Sequence, residues 1–175
     1  MTKNVEVDLV RAFPSVLAAT ANATPEEERV FNDFYPTCRE GKKQLYSLLN
    51  SSNSCTGSEP YHKMCRTMRT WCDRTEDCST PQSFAASVLN DITKRTSAHL
   101  CTYGLRVNVD FVAFADQVAV KNEEHVAVVT DAMNMASTAT LGVPLALRTK
   151  DTDFTFDERR RLSRNVPTAC TFPKI

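Results

Sequence analysis

Apolar residues recur along this chain with the period of a helix. The clearest stripe runs Tyr61, Met64, Cys65, Met68, Trp71 and Cys72, while His62, Lys63, Arg66, Thr67 and Arg69 take the other side. This predicts a helix over 60–73. Thr80-Pro81 supplies the start of a second long helix, with Phe84, Ala85, Val88, Leu89, Ile92, Leu100 and Tyr103 available to one side and Gly104 as its stop. Only a short polar turn, 73–79, separates the two, so they are expected as an antiparallel hairpin. One hairpin cannot enclose both stripes. Either a second copy covers them, giving a four-helix bundle across a two-fold axis, or the chain's other helices do. The pattern leaves both open.

The remaining signals are also helical. Thr24-Pro25-Glu26-Glu27-Glu28 reads as an N-cap, a proline in the first turn and acids on the positive end of the helix dipole. That helix stops before Pro36. Thr37 with Glu40 forms a capping box for the next, whose inward stripe is Cys38, Gly41, Leu45, Leu48 and Leu49. Ser51–Glu59 is a polar loop. Residues 105–120 fit two templates: Leu105, Val107, Val109 and Phe111 alternate like a strand, whereas Phe111, Phe114, Ala115 and Val118 repeat like a helix, which is favoured. Asn122-Glu123-Glu124 caps a further helix to about 138. The expectation is an all-α fold: a helical assembly domain over 1–139, with the hairpin at about 60–103, and a C-terminal arm and tail over 140–175 carrying one helical turn near Asp157–Arg164.

Composition narrows the function. The 175 residues are 42% apolar, enough for a packed core, and four glycines are few for a fold rich in tight turns. Twenty-one basic side chains balance twenty-one acidic ones, so charge-driven binding has to be local. No apolar run is long enough to span a bilayer, so no membrane insertion is expected. Val5–Ala23 resembles a leader, but Asp8 and Arg11 interrupt it, and it is taken as part of the mature chain. Seven cysteines, an odd number, with no convincing export signal favour reduced thiols that serve as small core residues. Zinc on His62, Cys65, Cys72 and Cys78 is conceivable, but the spacings match none of the usual paired-ligand patterns, so neither metal nor cofactor is expected. Three histidines and no nucleophile motif or phosphate loop point away from an enzyme.

Three stretches in order resemble the capsid (core) proteins of hepatitis B virus and its relatives: Asp33-Phe34-Tyr35-Pro36-Thr37-Cys38-Arg39-Glu40; the series Leu45-Tyr46, Ser54-Cys55, Tyr61-His62, Arg66 and Trp71; and His99-Leu100-Cys101-Thr102-Tyr103-Gly104 followed by Val109-Asp110-Phe111-Val112. They cover about residues 33–118, roughly half the chain. The resemblance implies a hepadnavirus core-type fold whose hairpin homodimerises, the dimers closing into an icosahedral shell around the viral genome. Tyr61, Met64, Cys65, Met68, Trp71, Cys72, Val88, Leu89 and Ile92 would then form the dimer interface. Phe34, Tyr35, Pro36, Phe111 and Phe114 would form the hydrophobic base. The partners implied are the chain itself and viral RNA, and the setting is the virion and the host cytoplasm or nucleus. The family's long arginine-rich tail has no match. Arg159, Arg160, Arg161 and Arg164 are the candidate RNA contact, with a solvated helix face as the alternative. This departure, and the short region between Trp71 and Cys101, suggest a divergent relative, of the non-enveloped fish-virus kind.

A different class remains open: a small secreted helical binding module stapled by disulfides. It would use the six cysteines clustered within residues 38–101 and the sequons Asn22-Ala-Thr24 and Asn50-Ser-Ser52.

Overall fold

The structure is a computed structural model describing residues 4–51, 55–114, 116–152 and 154–162. Its elements in order are β1 (Asn4–Leu9), α1 (Ala12–Thr20), α2 (Pro25–Phe34), α3 (Arg39–Asn50), α4 (Pro60–Arg74), α5 (Pro81–Thr102), β2 (Phe111–Phe114), β3 (Gln117–Val120), a short 3-10 turn (Glu123–His125), α6 (Val126–Leu141), β4 (Leu147–Thr152) and α7 (Phe156–Leu162). They gather into two compact units, residues 13–86 and residues 1–12 with 87–175.

The helical unit is built as its sequence signals require. Thr24 caps α2: its hydroxyl accepts from the Glu27 N–H at 3.2 Å, while the Glu27 carboxylate accepts from the Thr24 N–H at 2.9 Å. The cap of α3 falls one residue later than the sequence suggests. Cys38, not Thr37, stands there, its sulfur 3.3 Å from the Gly41 N–H. The α4 stripe is buried against α2 and α3. Met64, Cys65 and Trp71 have no exposed surface, and Leu17, Leu45 and Leu49 join them in one core. Phe31 sets its ring edge-on to Trp71, with centroids 6.1 Å apart.

The other unit overturns the all-α expectation. Four strands form an antiparallel sheet in the order β2-β3-β1-β4, so the fold is mixed and helix-dominated. Within the region 105–120, expected as a helix, Phe111–Phe114 and Gln117–Val120 form the β2–β3 hairpin after a turn, with Phe111 opposite Val120 and Phe114 opposite Gln117. Both periodicities were present there. The strand wins because β1 offers Val118 and Val120 a paired edge, through Val7↔Val118 and Val5↔Val120. Phe111 and Phe114, three apart, therefore point to opposite faces rather than sharing one. Of the expected arm, residues 147–152 pair along the whole of β1 and 156–162 form α7. α6 packs on β1 and ends at Gly142, whose positive φ of 82° suits the left-handed cap a glycine accepts without strain.

The cysteines correct a second expectation. Cys55 is bonded to Cys65 and Cys72 to Cys78, and Cys101 is disulfide-bonded as well. Cys38 is a free, exposed thiol. The odd count argued for reduced thiols, but a count carries no information about proximity. The Cys55–Cys65 bridge ties the loop before α4 to that helix, and Cys72–Cys78 closes the turn after it. With Cys65, Cys72 and Cys78 so used, the conceivable zinc set loses its thiolates. Among the described residues no three His, Cys, Asp or Glu side chains converge on a metal position.

Candidate functional site

Strand β1 alternates Val5, Val7 and Leu9 with Glu6 and Asp8, so hydrocarbon faces one side of the sheet and carboxylate the other. Both sides are covered. Glu6 is 0% exposed and Asp8 4%, as deep as Val7. A buried carboxylate is costly unless paired, and the registers supply the partners. Two rows cross the sheet: Phe114, Gln117, Asp8 and Arg148; then Val112, Ala119, Glu6 and Lys150. The Lys150 Nζ lies 2.9 Å from Asp8 Oδ2 and 4.0 Å from Glu6 Oε2, and Arg148 Nε is 3.6 Å from Asp8 Oδ2. With its amide nitrogen turned to the carboxylates, Gln117 donates to Asp8 Oδ1 at 3.0 Å and Glu6 Oε2 at 3.1 Å.

The cluster is closed by Arg159 from α7. Its Nε pairs with Glu6 Oε1, and its guanidinium carbon sits 4.1 Å from the Phe154 ring centroid and 5.5 Å from that of Phe114. Asp116 stands at the β2–β3 turn, where its carbonyl accepts from the Leu9 N–H at 2.8 Å. Burial, with Asp8 nearby, pushes the Asp116 carboxyl above the usual carboxylate range, against its own backbone hydrogen bond and the pull of Lys150 and Arg148.

A second feature belongs to the helical unit. An open groove of about 520 Å³ runs between α3 and the start of α4, lined by Glu40, Lys43, Gln44, Ser47, Tyr61 and His62 among others. Its volume is that of a small-ligand pocket. His62 stacks on Tyr61 with centroids 4.7 Å apart and lies close over Gly57, where a Cβ would meet the imidazole at 2.4 Å and force the ring to shift. The wall is fixed by two arginines. Arg66 Nη1 donates to the Cys55 and Gly57 carbonyls at 2.6 and 2.9 Å, and Arg69 Nη2 to those of Leu48 and Ser51, both at 2.8 Å. The sequence suggests that Arg66 and Arg69 merely keep an outer face wet. They pin the Cys55 loop and the end of α3.

The predicted site residues fall as follows. Met64, Cys65, Met68, Trp71 and Cys72 of the expected dimer interface face the core that α2 and α3 cover, and Tyr61 is half-buried beside the groove. Leu89 and Ile92 on α5 are buried and Val88 is half-buried. A dimer through the α4 stripe would therefore need α4 to leave α2 and α3. Of the expected base, Phe34, Tyr35 and Pro36 lie at the α2–α3 corner of the helical unit, and Phe111 and Phe114 in the sheet unit. The basic patch is dispersed: Arg159 is held on Glu6, Arg160 pairs with Asp157 at 3.1 Å, Arg161 is exposed, and Arg164 lies outside the described residues. Sequence reading missed Glu6, Asp8, Gln117 and Lys150. The signal available was the two-residue alternation Val5-Glu6-Val7-Asp8-Leu9, hidden by the resemblance of that stretch to a leader.

No family model, curated protein or solved structure matches the chain.

Proposed function

We propose that this chain is a small disulfide-stapled binding module working in an oxidising, secretory or extracellular setting. The observation that carries the reading is the pairing of Cys55 with Cys65 and Cys72 with Cys78. Such bonds persist where thiols are not kept reduced, and they serve units too small to be held by a core alone. The helical unit fits that description, since only a few short helices surround Trp71. Both staples engage α4, one tying the Cys55 loop to its middle and the other closing the α4–α5 turn at its end. Arg66 holds the same loop through the Cys55 and Gly57 carbonyls, so the bond and the arginine fix one segment together.

Shell assembly is the competing proposal. Its support is the sequence resemblance carried by three stretches over about residues 33–118. Its structural premise, an all-α hairpin with an unpartnered stripe, is replaced by the mixed fold. The two readings separate on a sizing column followed by electron microscopy, with the protein kept oxidised, concentrated and at high salt. A small species without particles, whose thermal transition falls on reduction, is the expected result. Uniform hollow or filled spheres would overturn the module reading.

A further inference from the structure

We propose that the Glu6 face of the sheet is a receptor for a guanidinium group, filled in cis by Arg159, and that its ligand is an arginine side chain or another monocationic guanidinium compound. The proposal gives the binding-module reading a ligand class, yet it rests on residues that include no cysteine. It therefore stands or falls apart from the disulfides.

The floor of the site is Glu6, wholly buried, with Oε1 making no hydrogen bond although the Arg159 Nε lies against it. One wall is Phe114. Gln117 and Asp8 complete the row beside it. A planar cation between a carboxylate and an aromatic face is the arrangement that favours guanidinium over ammonium, which is a compact, strongly hydrated charge.

The cis occupant is carried on a short strap. α7 has seven residues, far below the length at which a helix holds by itself. Asp157, Glu158, Arg160 and Arg161 are exposed, whereas Arg159 and Phe156 are half-buried. Phe154 departs with this strap, whereas Glu6, Asp8, Phe114 and Gln117 stay on the sheet. A guanidinium presented in trans meets the same floor, and its apparent affinity is scaled down to the fraction of chains in which the strap is undocked.

The test uses the full chain and the neutral-ended probe N-acetyl-arginine amide, with N-acetyl-lysine amide beside it, read by calorimetry and thermal shift. Arg159→Ala is expected to bind the arginine probe about tenfold or more tighter than the unsubstituted chain, and Glu6→Gln in that background to abolish binding. A folded Arg159→Ala that binds no tighter overturns the proposal. So does binding that survives Glu6→Gln, or a lysine probe that performs as well. Hydrogen exchange on the unsubstituted protein keeps the test open should Arg159→Ala not fold. The arginine probe is expected to speed exchange at 156–162 while 4–9 and 117–120 stay protected, and unchanged exchange at 156–162 contradicts the proposal.

Discussion

The two units bury different chemistry at the same depth. Among the described residues of 13–86, the buried side chains are apolar, with Trp71, Met64 and Leu17 at no exposure and no charged residue among them. In the other unit β1 buries Glu6 and Asp8 as deeply as Val7, and three basic side chains hold them there. An apolar core fails in proportion to the volume removed and is nearly indifferent to pH. A buried ion cluster fails when one partner is lost, because the other charge remains in a medium that cannot solvate it, although removing both together costs little.

That contrast can be broken most severely at Trp71. Trp71→Ala is expected to cost about 4 kcal/mol in denaturant unfolding of the helical unit, and a loss below about 1 kcal/mol would show that the indole is not its keystone. Next comes the ion cluster. Arg159→Leu is expected to cost about 3 kcal/mol, and Glu6→Leu added to it to recover most of that loss. Additive losses in this cycle would mean that the two side chains act independently. Third, Cys72→Ser with Cys78→Ser is expected to cost about 2 kcal/mol, the amount for a short loop. Hydrogen exchange should report the loss in 60–80 and leave the sheet amides as they were.

The smallest effects concern pH and carry opposite signs. Glu27 lies with Arg74 Nη2 at 2.7 Å. Burial pushes its carboxyl up, but bonds from the Thr24 N–H, Arg74 and the Thr24 hydroxyl together hold it below the usual range. Its contribution is present above the ordinary carboxylate pKa and is lost as pH falls through the lowered one. Glu27→Gln should therefore cost about 0.5–1 kcal/mol at neutral pH and nothing in strong acid. Asp116 is raised, so the fold favours its protonated form and loses stability as pH rises through that raised pKa. Asp116→Asn should gain on the unsubstituted chain with increasing pH. Parallel curves for either substitution would remove the group from the pH response.

What could be read beforehand follows the same division. The helices are legible because each apolar stripe lies within one element: α2, α4 and α5 start and stop close to the predicted residues. The sheet is not, because its signals are relational. Phe111 and Phe114 fit a helix until β1 is known to pair with β3. β4, reading Leu147-Arg148-Thr149-Lys150-Asp151-Thr152, is a mostly exposed edge strand with no alternation to betray it. Arg159 was singled out for the charge it shares with its neighbours, whereas its role is set by Glu6 at the far end of the sequence. Which cysteines pair was likewise invisible, since spacing does not reveal which sulfurs meet.

The central claim, that this is an oxidised module, is tested most directly by titrating free thiols under denaturing conditions on protein isolated without reductant, then mapping the unreacted cysteines by peptide mass. Among the described cysteines only Cys38 is expected to react, with Cys55 joined to Cys65, Cys72 to Cys78, and Cys101 also blocked by a disulfide. Seven free thiols, the full complement of the sequence, would contradict it.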